Sequence, residues 1–295
     1  MIAPSAVTRV SVSVGATTDL PDDLPDYAPM LAAYHRAHAA ELCAMVGDLP
    51  VRAGDCVLDV PCGDGVYTLL LAEKVGSNGS VVGVDLSASY LASARALADR
   101  SAEAVGIRFQ AGDIAALPFD NNSFDLIWCA QSMYSLPDPL GALRELWRVV
   151  RPGGTVSVFE NDTLHQILLP WPAELELAVR QAQLRSLATR APAAAKFFIG
   201  RDLRSMLAAA GLKNTIVKPY TSIRHAPLSV DERTYLAWYF GYLGRHARPY
   251  LQPDAGAWFE RLLDPASAEY LLDRPDFFVI YNDMVARGVK LQDGM

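Results

Sequence analysis

The segment 57–65, VLDVPCGDG, constrains the chain more than any other. An apolar run of strand type ends in Asp59 and breaks into a loop carrying Gly63 and Gly65. An apolar helical run follows from Val66 and Tyr67 through Leu71. This pattern predicts a strand–turn–helix unit whose glycines let a ligand lie against bare backbone. About twenty residues on, at the spacing of a βαβ unit, a second apolar strand, 81–84, ends in Asp85. An acid at the tip of that strand is placed to accept from the two hydroxyls of a ribose. A nucleoside-bearing cofactor is the first expectation.

Two cofactor classes compete. A dinucleotide site wants G-x-G-x-x-G, so that pyrophosphate sits on the helix N-terminus. Here the loop runs Pro61, Cys62, Gly63, Asp64, Gly65, Val66, Tyr67, Thr68. The third glycine is missing, and Asp64 puts negative charge where phosphates would lie. Asp59 also suits a cationic group better than a phosphate. S-adenosylmethionine (SAM) has that profile, with a ribose, an adenine, an ammonium and no phosphate.

Further motifs follow in order. Residues 109–111 form a short strand before Gly112, Asp113 and Ile114, with LPF at 117–119. Residues 124–129, FDLIWC, form a buried apolar strand. Residues 139–150, PLGALRELWRVV, predict a helix with Leu140, Leu143, Leu146 and Trp147 on one face. RPGG at 151–154 is a sharp turn, and 155–159 is the next strand. Taken together, LDVPCGDG, VVGVDLS, AGDIAALPF, FDLIWC and LRELWRVVRPGG resemble the class I SAM-dependent methyltransferases. The resemblance is closest to their small-molecule type 11, or UbiE-like, branch. It covers about 54–161 and, more weakly, 198–219. Pro61 stands where that family usually has glycine, which shifts ligand contact toward Cys62 and Gly63. The resemblance implies a Rossmann-like α/β fold: a seven-stranded, mostly parallel sheet with an antiparallel last strand, here with helical lid insertions.

Composition sets bounds. The chain has 295 residues, 51% of them hydrophobic, enough for a full core. Its net charge is −7 and it has no long basic run. Nucleic-acid binding rests on Lys and Arg neutralising phosphates, so a polynucleotide partner is not expected. Cys43, Cys56, Cys62 and Cys129 have no zinc-ligand spacing and read as reduced packing residues. No signal-peptide pattern opens the chain, and no run has the about 20 apolar residues that span a bilayer. A cytoplasmic protein without a membrane partner is expected. Its oligomeric state is open, a homodimer included.

The sequence divides into four parts. Residues 1–50 form an N-terminal arm, acidic and proline-rich at TTDLPDDLPD, and a helical cap over 27–46. Residues 51–161 are the SAM-binding core. Residues 162–197 are a helical lid insertion, with a Pro170-Trp171-Pro172 break and an amphipathic helix at 173–189. Residues 198–295 complete the core with a helix at 200–210, a strand at 212–219 and a closing strand at 277–281 and 284–289. A second helical insertion at about 229–272 is rich in aromatics, among them Tyr235, Trp238, Tyr239, Phe240 and Tyr242.

Cofactor chemistry assigns the core residues. Asp59 accepts from the methionine ammonium, and Cys62, Gly63, Asp64 and Gly65 form the loop beside it. Asp85 takes the ribose diol, a carboxylate accepting two O–H donors. Asp113, after Gly112, accepts from the adenine amino group. Leu86 and Ile114 flank the ring, and Tyr90 covers it. Ala130 and Gln131 close the site after the fourth strand. Each acid taken alone is equally a helix cap or turn former. Together, at strand ends on one sheet edge, they mark the crevice where open α/β sheets bind ligands.

The sulfonium already activates the methyl group, so positioning does most of the work. The segment 130–134, AQSMY, is not the Asn/Asp-Pro-Pro-Tyr pattern of enzymes that methylate nucleobase or glutamine nitrogens. His165, beyond the fifth strand, is the candidate base, although a lone loop histidine more often lies at the surface. His35 and His38 lie on the N-terminal helix, which folds over the cofactor in the family. Tyr34, Tyr134, His165, Trp171 and Tyr239 are the candidate acceptor contacts. No metal site is expected, because no cluster has ligand spacing. The expected function is methyl transfer from SAM to a small organic acceptor such as a natural-product intermediate, leaving S-adenosylhomocysteine (SAH). Two alternatives are a non-methylating SAM binder, such as a cyclase or regulatory protein, and a dinucleotide-dependent oxidoreductase. Neither the acceptor nor the atom methylated is legible.

Overall fold

The structure is a computed structural model describing residue 24 and residues 27–101, 106–190 and 194–292. Most of the arm at 1–26 lies outside the described residues. Alternation of apolar β-formers with helical segments builds a single twisted sheet. Its elements are β1 (Cys56–Asp59), α3 (Val66–Val75), β2 (Ser80–Asp85), α4 (Ala88–Ala98), β3 (Ile107–Ala111), β4 (Phe124–Ala130), α5 (Pro139–Val149) and β5 (Val150–Glu160). Strands β1 to β5 pair in parallel, in the order β3-β2-β1-β4-β5. Chain direction reverses in β8 (Phe278–Val289), which pairs antiparallel with β5 and with β7 (Lys213–His225).

The sheet has eight strands rather than seven. The extra one is β6 (Ile167–Leu168), a two-residue strand that takes up the β8 edge left free beyond the end of β5. The closing strand is continuous through residues 282 and 283, because β7 pairs with it from Lys213 to His225. RPGG, expected as a turn before the strand, lies inside β5. It bulges out of the ladder between the Phe124–Val150 and Leu126–Thr155 pairs, with Gly153 at φ +83°.

Two core layers sandwich the sheet. One packs Leu143, Leu146, Leu203 and Leu207 against Ile127, Val156 and Val158. The other packs Leu42, Met45, Leu70 and Leu71 against Val57, Leu126, Trp128 and Phe159. Trp128 and Phe159 stack at 6.1 Å, both fully buried. Alternation along each strand sends neighbouring residues to opposite layers.

The expected helix at 27–46 is two helices, α1 (Ala28–Ala37) and α2 (Ala39–Gly47). The break falls at His38, whose φ of −113° leaves the helical region. Its imidazole Nδ1 donates to the Tyr34 carbonyl, offering the backbone a partner outside the helical ladder. The expected helix at 200–210 is likewise a 3-10 segment, Ala194–Asp202, followed by α7 (Leu203–Ala209).

A third apolar cluster holds the helices added to the sheet. It joins α6 (Ala173–Arg190), α8 (Val230–His246) and α9 (Pro253–Leu263) through Leu175, Val179, Leu236, Leu243, Phe259 and Leu262. Helix α8 starts in a capping box between Ser229 and Glu232. It also packs on α1, where Arg36 pairs with Asp231 at 2.7 Å. The N-terminal helix is thereby fixed to the second insertion across the edge of the sheet.

Candidate active site

The cofactor crevice grows out of the end of β1. Asp59 is fully buried, and one of its oxygens accepts from the Thr68 hydroxyl at 2.5 Å. The other has no partner. Burial pushes its carboxyl up to about 8, against the Thr68 hydrogen bond and with help from Asp85 and Asp64. An orphaned buried carboxylate oxygen wants a cationic donor, and the ammonium of SAM is one.

The loop past Asp59 turns through Gly63 at φ +51° and Gly65 at φ +83°. A Cβ on Gly65 would stand 2.9 Å from the Ala94 Cβ, so only glycine lets the start of α3 lie this close to α4. Asp85 holds the loop from the neighbouring strand, one oxygen accepting from Gly63 N–H at 2.9 Å and the other from Ser87 N–H at 2.8 Å. Each oxygen keeps a second lone pair for a ribose hydroxyl. Beside it, Leu86 is 71% exposed, an apolar side chain ready for an adenine face. Ile114 is buried, and Asp113 is exposed, with one oxygen on Ala115 N–H. Tyr90 is buried one turn into α4, behind the Ser87 cap. Gly112 N–H donates to the Asp85 carbonyl, which ties β3 to the tip of β2. Cys62 is buried, and burial pushes its thiol up, so it acts as an apolar wall. Gln131, at φ +47°, turns the chain away after Ala130 and donates its N–H to Phe159. These residues fit SAM at both ends, with acids for the ammonium and ribose and an apolar face for the base.

A second set lies beside the crevice. Tyr34 of α1 stacks on His38 with centroids 4.3 Å apart and meets Tyr235 of α8 at 5.3 Å. His38 packs edge-on against Tyr281 of β8 at 4.5 Å. Tyr67 of α3 joins through His35 at 5.5 Å. His35 in turn bonds Asp64 of the cofactor loop at 3.0 Å. Burial raises the Asp64 carboxyl, but the His35 contact and loop N–H groups outweigh it and hold it below the usual range. The hydroxyls of Tyr67 and Tyr281 and the Nε2 atoms of His35 and His38 are buried without partners. Since His38 donates through Nδ1, its Nε2 carries the lone pair, and burial pulls the imidazole down to about 4. Asp283, on the same face of β8 as Tyr281, accepts from the Tyr34 hydroxyl at 3.3 Å. Burial pushes its carboxyl up to about 7. Glu160, at the end of β5, is buried and accepts backbone N–H groups from Ser132, Met133, Tyr134 and Asn161, yet burial still pushes it up to about 8.

The expected acceptor contacts separate. Tyr34 lies in this aromatic set. Tyr134 stands at the mouth, partly exposed on the 3-10 turn Met133–Ser135. His165 is an exposed turn residue whose carbonyl accepts from Asn282. Trp171 donates to Glu176 and packs against the helical cluster. Tyr239 is buried in that cluster, bonded to Arg180. Sequence reasoning missed Tyr67, Tyr281, Asp283 and Glu160. Glu160 carried a usable signal, being an acid at a strand tip like Asp59 and Asp85. Among the described residues no cluster of His, Cys, Asp or Glu could hold a metal ion. No described helix is long and apolar enough to cross a membrane.

Fold and site together define a SAM-dependent methyltransferase. Residues 57–154 match the family described as "Methyltransferase domain". The demethylmenaquinone methyltransferase of Shouchella clausii is 34% identical over 184 residues, covering 59% of this chain and 77% of that one. The enzyme of the same name from Lactobacillus johnsonii is 32% identical over 180 residues, covering 57% and 72%. The chain belongs to the class I SAM-dependent methyltransferases, in their UbiE-like branch. In fold it is similar to the YcgJ protein of Bacillus subtilis, with TM-score 0.54, 21% identity and coverage of 86% and 100% of the two chains. A putative methyltransferase from Bacillus halodurans gives 0.52, 18%, 85% and 99%.

Proposed function

We propose that this methyltransferase acts on a compact organic acceptor of natural-product type, enclosed between the cofactor crevice and the helices α1 and α8. One observation carries this reading. The buried, unpartnered polar atoms of Tyr67, His38 and Tyr281 stand among aromatic rings beside the crevice carboxylates. Buried polar atoms need partners, and a small polar acceptor supplies them.

When bound, SAM supplies an electrophilic methyl on a sulfonium. The chain does the rest. Asp59 holds the ammonium, Asp85 the ribose, Asp113 the adenine amino group, and Leu86 and Ile114 the ring. The loop at 62–65 and Gln131 fix the methionine end. The aromatic set holds the acceptor in line and keeps water out, and such positioning supplies roughly 7–11 kcal/mol in favourable cases. His165, exposed on its turn, is given no proton to carry. The helical insertions act as a lid over the acceptor, with no nucleic acid or membrane as partner, in a cytoplasmic enzyme.

A second reading takes a hydroquinone as acceptor, because two relatives are demethylmenaquinone methyltransferases. Methyl-labelled SAM, incubated with a panel of phenols, 1,4-dihydroxynaphthalene and small amines, tests both. The expected result is label in a small product together with SAH. Label in protein or polynucleotide, or SAH binding without any methyl transfer, would sink the proposal.

A further inference from the structure

The carboxylates of this site do not balance. Asp59 faces the place of the SAM ammonium, and Glu160 is satisfied by four backbone N–H groups. Asp283 has neither. The groups acting on it are the hydroxyls of Tyr34 from α1, Tyr67 from α3, Tyr235 from α8 and Tyr281 from β8, and the carboxylate of Glu41 from α2. No cation stands among them. Arg224 of β7, which acts on the adjoining Tyr281, is committed to Glu41 at 2.7 Å and to Glu232 at 2.6 Å. A desolvated carboxylate without a counter-ion is costly. Half-buried Asp283 has the tyrosines Tyr34, Tyr67, Tyr235 and Tyr281 about it, and His38 packs against three of these rings. Aromatic faces around a carboxylate form a cage for an organic cation. Tyr67 ties this cage to the cofactor, since Asp283 and Asp59 both act on its hydroxyl.

We infer that the acceptor is a compact amine, held as its ammonium by Asp283 inside the tyrosine cage and methylated on nitrogen. The inference rests on the acceptor site proposed above. Asp283 takes one proton from the bound ammonium and frees the nitrogen lone pair. That pair forms the N–C bond to the methyl as the S–C bond breaks, the bonding electrons staying on sulfur. The product leaves as a methylated ammonium with neutral SAH, and Asp283 returns its proton to solvent. The Tyr34 hydroxyl fixes the rotamer of the carboxylate and is a positioning residue.

Calorimetry on the SAH-saturated enzyme tests binding, with phenethylammonium and its uncharged isostere propylbenzene as probes. Labelled SAM with an amine panel and 1,4-dihydroxynaphthalene tests transfer. The cation is expected to bind and propylbenzene not. Asp283→Asn is expected to weaken the cation at least tenfold while SAH affinity holds and the melting temperature does not fall. Tyr34→Phe, which keeps the carboxylate, is expected to weaken it less and to raise KM for the amine more than it lowers kcat. Methylation of 1,4-dihydroxynaphthalene but of no amine overturns the amine inference and leaves the methyltransferase reading standing. Amine binding and methylation untouched by Asp283→Asn overturn the role of Asp283. SAH binding with no transfer to any member of the panel overturns both readings.

Discussion

The Tyr34 hydroxyl on the first helix donates to Asp283 on the last strand, 3.3 Å away across 249 positions of sequence. This bond joins a helix outside the sheet to the strand that reverses the sheet's direction, on the side where we place the acceptor. On the amine reading, the Asp283 carboxylate sets the pH at which the site works. Burial pushes Asp283 up to about 7, so its carboxylate empties of charge as pH falls through that value. The expected outcome is a kcat/KM that declines tenfold per unit below about pH 7. The acid limb should disappear in the residual activity of Asp283→Asn. A pH–rate profile of the two proteins checks it.

Asp59→Asn removes the charge we assign to the SAM ammonium and keeps the shape. Binding of SAM and SAH should weaken by roughly 1.5–3 kcal/mol, the range for a hydrogen bond to a charged group. Unchanged affinity by calorimetry would take Asp59 out of the cofactor site.

The ligand-free protein should be more stable at pH 6 than at pH 9. Asp59, Glu160 and Asp283 are pushed by burial to about 8, 8 and 7, whereas an unfolded carboxyl titrates near 4. Between those values the native state binds more protons than the unfolded one, so stability rises as pH falls through 8 and 7. Two groups work in the opposite sense. His38, pulled down to about 4, does so from about pH 6.5 downward, where three carboxyls outweigh it at pH 6. Asp64, held below its usual value by His35, does so only at about pH 4 and below. Melting temperatures across this range check the sign, and Asp59→Asn should flatten the curve.

Gly65→Ala should cost roughly 1–3 kcal/mol, the range for a strained backbone position. The residue sits at φ +83°, and its new Cβ would lie 2.9 Å from that of Ala94. Because the loop carries the cofactor, SAM affinity should fall with stability. A variant with wild-type melting and binding would contradict the packing argument.

Trp171→Ala should act on the helical cluster before it acts on chemistry. The indole donates to Glu176 and packs against the cluster of α6, α8 and α9. A loss of roughly 1–3 kcal/mol is expected, with SAH affinity held. A wild-type melting temperature with a raised acceptor KM would return Trp171 to the acceptor contacts.

The candidate cofactor crevice was legible because its parts are local. Asp59, Gly63 and Gly65 share one strand–loop–helix segment, and Asp85 and Asp113 sit at or just past the ends of the next two strands. Apolar periodicity locates strand ends, and chemistry assigns the acids found there. The acceptor pocket we propose was not, because it is made by long-range packing. Tyr235 and Tyr239 lie one turn apart on α8, yet Tyr235 meets Tyr34 of α1 while Tyr239 is bonded to Arg180 of α6. Only the docking of α1 and α6 against successive turns of α8 separates them. Asp283 reads in sequence as one more polar residue near the closing strand. Burial among tyrosines, without a cation, gives it a carboxyl near neutrality. That environment comes from four elements far apart in the chain and is a property of the tertiary structure alone.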